Sequence, residues 1–122
     1  MAAAVATIVA LTMTSGAALA APTGKPDVSV PFSSVVYGTG CLYTVTVQVN
    51  SSGTVYFWES RGRAKPRYIG SRTAVGANAV HWWTPNRIGN WTLYAVQNGK
   101  KSQPLKVAVR QGYGGGGLCF AL

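Results

Sequence analysis

The chain has 122 residues, of which 11 are Lys or Arg and only 2 are Asp or Glu, giving a formal net charge of +9. That length suits one domain. Asp27 and Glu59 are the only side-chain carboxylates and His81 the only imidazole, so most hydrolytic and metal-assisted chemistry has too few residues to work with.

Residues 1–20 carry no charge, run apolar from Ala2 to Met13 and close on Ala18-Leu19-Ala20, the small-x-small pattern of a signal-peptidase site. We read this segment as a cleavable signal peptide, with the mature chain starting near Ala21, although it lacks the usual basic n-region. A transmembrane anchor is disfavoured, because Thr12, Thr14, Ser15 and Gly16 interrupt a run already short of the ~20 apolar residues that span a bilayer. No later stretch is long and apolar enough to span. The product is therefore expected to be secreted or cell-surface, with no membrane span after signal removal.

The remaining domain of roughly 100 residues buries about two thirds of the surface of its extended chain, enough for one modest core. Cys41 and Cys119 form an even pair in an exported chain, which favours a disulfide over two free thiols. It would close a loop of about 80 residues, worth roughly 4.5 kcal/mol in the chain-entropy model. Two cysteines this far apart, with one histidine to assist, make neither a zinc site nor a thioredoxin-type site.

In chain order, a weak strand is predicted from Val28 to Phe32, continuing to Tyr37 past a bulge. From Leu42 to Val49, Tyr43, Val45, Val47 and Val49 alternate with polar residues, the period of two of a strand with one buried face. Asn50-Ser51-Ser52-Gly53 supplies a turn, and Thr54 to Glu59 alternates again with Val55 and Phe57 on one side. Further strands are predicted at Arg67 to Gly70, Asn78 to Thr84, Trp91 to Gln97 and Leu105 to Arg110. Gly76, Pro85-Asn86, Gly89 and Asn98-Gly99-Lys100-Lys101 separate them. Leu105, Val107 and Val109 should point inward, as should one face of Trp91, Leu93 and Ala95. Either parity of Ala79 to Trp83 buries one tryptophan and exposes the other; we take Trp83 as inside and Trp82 as outside. Short strands at this spacing with no amphipathic helix indicate an all-β antiparallel sandwich.

The set Gly53-Thr54-Val55-Tyr56-Phe57, Ile69-Gly70-Ser71, Gly76-x-x-Ala79, Trp83-Thr84-Pro85, Gly89-x-Trp91-Thr92-Leu93-Tyr94-Ala95 and Ser102-x-Pro104-Leu105-x-Val107-x-Val109 resembles the bacterial immunoglobulin-like domain family. The resemblance covers about Tyr43 to Val109. It implies an immunoglobulin-like antiparallel β-sandwich of about seven strands over residues 21–111, in a secreted or cell-surface bacterial protein serving adhesion, spacing or display. Residues 112–122 are then a Gly-rich C-terminal tail carrying Cys119. Trp91 stands where many such folds place the corner tyrosine, and Leu93 where an antibody domain has its second inter-sheet cysteine, so the disulfide must be a different one. If each connection reverses direction, Cys41 lies just before the second strand and Cys119 beyond the seventh, at one end of the sandwich. A tail latch follows, with Gly112 to Gly117 as slack. The glycine run is alternatively a loop lying against a ligand, but it lacks the helix and lysine of a phosphate cradle. Unlatched, Leu118 to Leu122 would be a loose apolar end suited to pairing with another chain.

Five basic residues fall in one segment: Arg61, Arg63, Lys65, Arg67 and Arg72. At alternate positions of an extended segment they project to one side and attract a polyanion, such as an acidic cell-envelope polymer or an acidic protein. The bland reading is solubility and protection of a strand edge. A second candidate surface is aromatic: Tyr56 and Trp58, with Trp82 and Tyr94, face away from the core, and such rings stack on carbohydrate or simply pair across strands. Nucleic acid could use the same surface but fits poorly with an extracellular address. Asp27 and Glu59 are not placed as a glycosidase pair, and no serine sits in a nucleophile elbow. His81 reads as a strand residue at a sheet surface. Asn50-Ser51-Ser52 and Asn90-Trp91-Thr92 match the glycosylation triplet by chance frequency alone. The expectation is a non-catalytic, cofactor-free binding or surface module, with a small secreted cationic antimicrobial as the rival.

Overall fold

The computed structural model describes residues 19–29, 36–115 and 118–121, so all but the last two residues of the expected leader lie outside it. Eleven strand segments are described: β1 (Asp27–Val28), β2 (Val36–Gly38), β3 (Tyr43–Gln48), β4 (Thr54–Arg61), β5 (Arg67–Thr73), β6 (Asn78–Trp83), β7 (Gly89–Gln97), β8 (Lys100–Lys101), β9 (Leu105–Arg110), β10 (Gly112–Gly115) and β11 (Leu118–Ala121). The chain is all-β. One sheet has the order β1-β3-β6, the facing sheet β2-β9-β7-β4-β5 with β8 also on β7, and β10 pairs β11 in a separate hairpin. Each alternating run from β3 to β9 found in the sequence is a strand, because the inward residues of both sheets need one another to leave water.

The leading segment divides between the sheets: β1 runs antiparallel to β3, whereas β2 lies parallel to β9. Residues 30–35, within the single strand expected there, lie outside the described residues. Ahead of β1, the chain is held to the sandwich by Thr23 N–H donating to Gln48 O (2.9 Å) and Ala21 N–H donating to Asn50 Oδ1 (2.8 Å).

Two buried clusters fill the space between the sheets. Tyr43, Val45, Trp83, Trp91 and Leu93 form one, and Val47, Val55, Phe57, Ala79 and Ala95 the other, with Ile69 packed against both. Burying each of the larger side chains contributes about 1.5–3 kcal/mol. Trp83 is 2% exposed and its neighbour Trp82 51%, which settles the parity of β6. His81 does not lie at an outer surface as expected. It pairs with Val45, so its ring turns inward at the sheet edge, 5.6 Å from Phe57, and fills the space over Gly70, where a Cβ would come within 2.3 Å of Nε2.

The Asn98-Gly99 segment, expected to be a longer separator, is a two-residue turn with both φ angles positive (53° and 72°), and Lys100–Lys101 already pair with the end of β7. This is the backbone that Asn-Gly favours in hairpins. Pro104 has no N–H and interrupts the ladder between β8 and β9. Ser102 fills the break: its N–H donates to Ala95 O (2.8 Å) and its Oγ accepts from Ala95 N–H (2.9 Å).

The tail corrects a second expectation. Cys41 and Cys119 are bonded, with Cα atoms 5.6 Å apart, but Gly112 to Gly115 of the expected slack is a strand, while Gly116 and Gly117 lie outside the described residues. That strand, β10, pairs antiparallel with β11, Tyr113 with Phe120 and Gly114 with Cys119. Glycine here permits close approach: a Cβ on Gly112 would lie 2.0 Å from Thr39 O, and one on Gly38 would lie 2.9 Å from Cys41 Sγ.

Candidate anion-binding site

The site is built where the β4–β5 hairpin meets the loop from β6 to β7. The hairpin reverses at Gly62, whose φ of +57° suits glycine, and Ala64 N–H donates to Arg61 O (3.0 Å). Gly62 N–H donates to Asn90 O (2.8 Å), tying the turn to the start of β7. The incoming loop is fixed twice more: Trp91 Nε1 donates to Arg87 O (2.9 Å), and Arg61 Nη1 donates to Ile88 O (2.9 Å). Arg61 is thus partly a structural residue.

Between these segments lies a cleft of about 260 Å³ lined by Arg61, Lys65, Arg67 and Arg87, with Glu59 and Trp91 among its walls. Glu59 is 2% exposed. Its Oε2 accepts from Arg67 Nε (2.8 Å) and from Arg67 Nη2, and its Oε1 accepts from the buried Trp83 Nε1 (2.9 Å). A carboxylate this buried needs such partners, and the single ion pair neutralises only one of the four cations around the cleft. The surplus positive charge faces solvent.

The five basic residues of the segment therefore do not share one side. Arg63 and Lys65 project from the turn, where reversal of the chain breaks the alternation expected of a continuous strand. Arg67 begins β5 opposite Glu59. Arg72 lies further along β5 opposite Val55, at the other end of the hairpin and away from the cleft. Arg87 takes the place the sequence reading had assigned to Arg63 and Arg72. It directly follows the Pro85-Asn86 separator, and only the folding of that loop against the β4–β5 turn brings it in; its one signal is a basic residue in a loop.

The aromatic candidates are likewise redistributed. Tyr56, Trp58 and Tyr94 share the outer face of the larger sheet, whereas Trp82 lies on β6 in the opposite sheet and does not join them. Tyr68, which the sequence reading passed over, completes the group: its ring is 5.3 Å from Trp58 and 6.2 Å from Tyr56. Its parity, opposite to that of Arg67 on the same strand, was the available signal. Trp58 and Tyr94 oppose each other across β4 and β7 with ring planes parallel to within 6° and centroids 6.3 Å apart. Lys101 Nζ lies 4.2 Å from the centre of the Tyr94 ring.

The Tyr37 phenol packs edge-on against Tyr43 at 4.9 Å, and burial, then the negative charge of Asp27 and the neighbouring Tyr43, raise its pKa above the ordinary 10.0. It is half-buried against the core and remote in sequence from the cleft.

No protein-family model matches the chain, and no curated protein matches it at a significant level. Among solved structures it is similar to superoxide reductase (neelaredoxin) from Ignicoccus hospitalis. Two variants of that protein each align with a TM-score of 0.51 and 12% identity. They cover 80% and 73% of this chain and 86% and 82% of theirs. The PKD domain of a peptidase from a Thermoplasmatales archaeon aligns with a TM-score of 0.43 and 18% identity over 73% of this chain and 95% of that one. At such identities the likeness to the reductase is one of fold. No group of three His, Cys, Asp or Glu side chains able to hold a metal occurs among the described residues.

Proposed function

We propose that the protein is a secreted or cell-surface, non-catalytic immunoglobulin-like module that contacts an anionic partner through the cleft of Arg61, Lys65, Arg67 and Arg87. The observation that carries this reading is the convergence of those four cations from both sides of one cleft whose only carboxylate is buried and already paired. Two features support the immunoglobulin-like assignment and a third the compartment. The sheet orders β1-β3-β6 and β9-β7-β4 match the A-B-E and G-F-C strands of that architecture, with β5 added beyond β4. Trp91, standing at the corner position, bonds back to a carbonyl four residues upstream, as the corner tyrosine does. The Cys41–Cys119 bond suits an oxidising compartment, as does a signal peptide over 1–20 ahead of a domain over 21–111.

The partner is an acidic cell-envelope polymer or an acidic protein, held by charge at a site with no acid of its own to spare. The test is retention on a heparin column under a salt gradient. The chain should be retained at physiological salt, and the double variant Lys65→Ser with Arg87→Ser should elute at clearly lower salt with an unchanged melting temperature. Both residues are exposed, and neither side chain has a hydrogen-bond or ion-pair partner among the described residues. Elution of the parent near the void volume, or coelution of the variant with it, would refute the reading.

A further inference from the structure

The cleft and the aromatic group lie on one continuous surface. Outward-facing residues of β4 alternate as Tyr56, Trp58 and Ser60, and Ser60 is itself a wall of the cleft. Two residues of extended chain are about 7 Å, so Trp58 stands one step from the basic residues. The row beside Ser60 crosses to Thr92 and Lys106, and a second groove of about 500 Å³ lined by Gly62, Asn90, Thr92 and Lys106 runs along it. Beyond Trp58, Tyr94 holds Lys101 against its ring. Along the outer face the order is therefore cations, polar side chains, a cluster of rings, then a cation.

Tyr56 and Tyr68 are 43% and 46% exposed, a large apolar area to leave in water on a sheet face without a role. An acidic protein needs the charges but not this order of surfaces, and single-stranded nucleic acid, which could use both rings and cations, fits poorly with the extracellular address proposed above. A chain of carboxylate-bearing pyranose rings needs both: the CH-rich ring face packs on an aromatic side chain, carboxylates meet Arg and Lys, and hydroxyls meet groups such as Ser60 and Thr92.

We infer that the anionic partner is an acidic polysaccharide, bound across the outer face of the larger sheet with its sugars on Trp58 and Tyr68 and its carboxylates in the cleft and on Lys101. This rests on the anion-binding reading of the cleft. The test compares three probes on the full chain by isothermal titration: polygalacturonate, inorganic polyphosphate at matched charge, and an uncharged glucan. Polygalacturonate should bind most tightly. Trp58→Ala and Tyr68→Ala should each weaken polygalacturonate by about tenfold, the equivalent of one stacking contact, and leave polyphosphate unchanged. Lys65→Ser with Arg87→Ser should weaken both. Tyr68 is on an edge strand and half exposed, so its variant serves if Trp58→Ala disturbs the fold. Equal binding of both polyanions, with the aromatic variants affecting neither, would overturn the polysaccharide inference and leave the cleft reading intact. Equal binding of the uncharged glucan would overturn it by removing the need for charge. Failure of both polyanions to bind would overturn the two together.

Discussion

Replacing both cysteines, Cys41→Ala with Cys119→Ala, tests what holds the tail in place. The bond joins residues 78 apart in sequence, and in the chain-entropy model the unfolded chain regains freedom worth about 4.5 kcal/mol when it is lost. Against a whole-domain stability of about 5–15 kcal/mol, that is a large share. Little else compensates. The β10–β11 hairpin has two strands, which alone are marginal in water, and among its described side chains only Ala121 is fully buried. Its other described anchors are the Gly112 N–H donating to Thr39 Oγ1 at 3.0 Å and the packing of Cys119 itself against the core, since the contact of Tyr113 with Phe120 at 5.9 Å lies within the hairpin. Urea unfolding of the oxidised parent and the variant, followed by tryptophan fluorescence, should show the midpoint falling by about 2–3 M for a domain with an ordinary denaturant slope. The slope itself should rise, because the uncrosslinked unfolded chain exposes more surface. A midpoint lower by less than about 0.5 M would refute the reasoning. It would mean that the hairpin docks by strand pairing and the bond only decorates it.

Three further outcomes are expected. Arg67→Ala leaves the buried Glu59 with Trp83 as its only described partner; because Arg67 is 66% exposed and water can reach the gap, the loss is expected at about 1–2 kcal/mol rather than the 3–5 of a fully buried pair. Thermal melts should show it, and adding Glu59→Gln should recover part. Gly112→Ala would place a Cβ 2.0 Å from Thr39 O, so the hairpin must lift, and the Cys41–Cys119 bond should be reduced faster by dithiothreitol than in the parent. Tyr37 has its pKa raised in the fold, so its neutral form is the one favoured there; its contribution to stability is complete below pH 10 and is lost as pH rises through the raised value. Alkaline melts should decline less steeply for Tyr37→Phe, and phenolate absorbance in the parent should show a late-titrating component that this variant lacks.

Much of the fold is legible in local pattern. The alternation from Tyr43 to Gln48 and from Leu105 to Arg110 states both the strand and its buried face, because successive side chains point to opposite sides whatever the partner strand is. The bonding of Cys41 with Cys119 is reachable by counting, whereas the burial of Trp83 is not fixed locally, because either parity of Ala79 to Trp83 buries one tryptophan. The tail was not. A glycine run has no side chains with which to declare a strand, and its pairing depends on the backbone of β2 accepting Gly112 at contact distance.

The basic segment marks the boundary between the two kinds of information. Composition alone established that this chain carries a surplus of cations with almost no acids to absorb them, and alternation alone put Tyr56, Trp58 and Tyr94 on outward faces. Which charges act together was decided only in three dimensions. The turn at Gly62 scattered Arg63 and Arg72, Glu59 engaged Arg67, and Arg87 arrived from a loop more than 20 residues away. The same step sent Trp82 to the opposite sheet and brought Tyr68 beside Trp58. Side-chain direction is a property of each strand, but neighbourhood is a property of sheet order, and sheet order is chosen by the packing of the whole core.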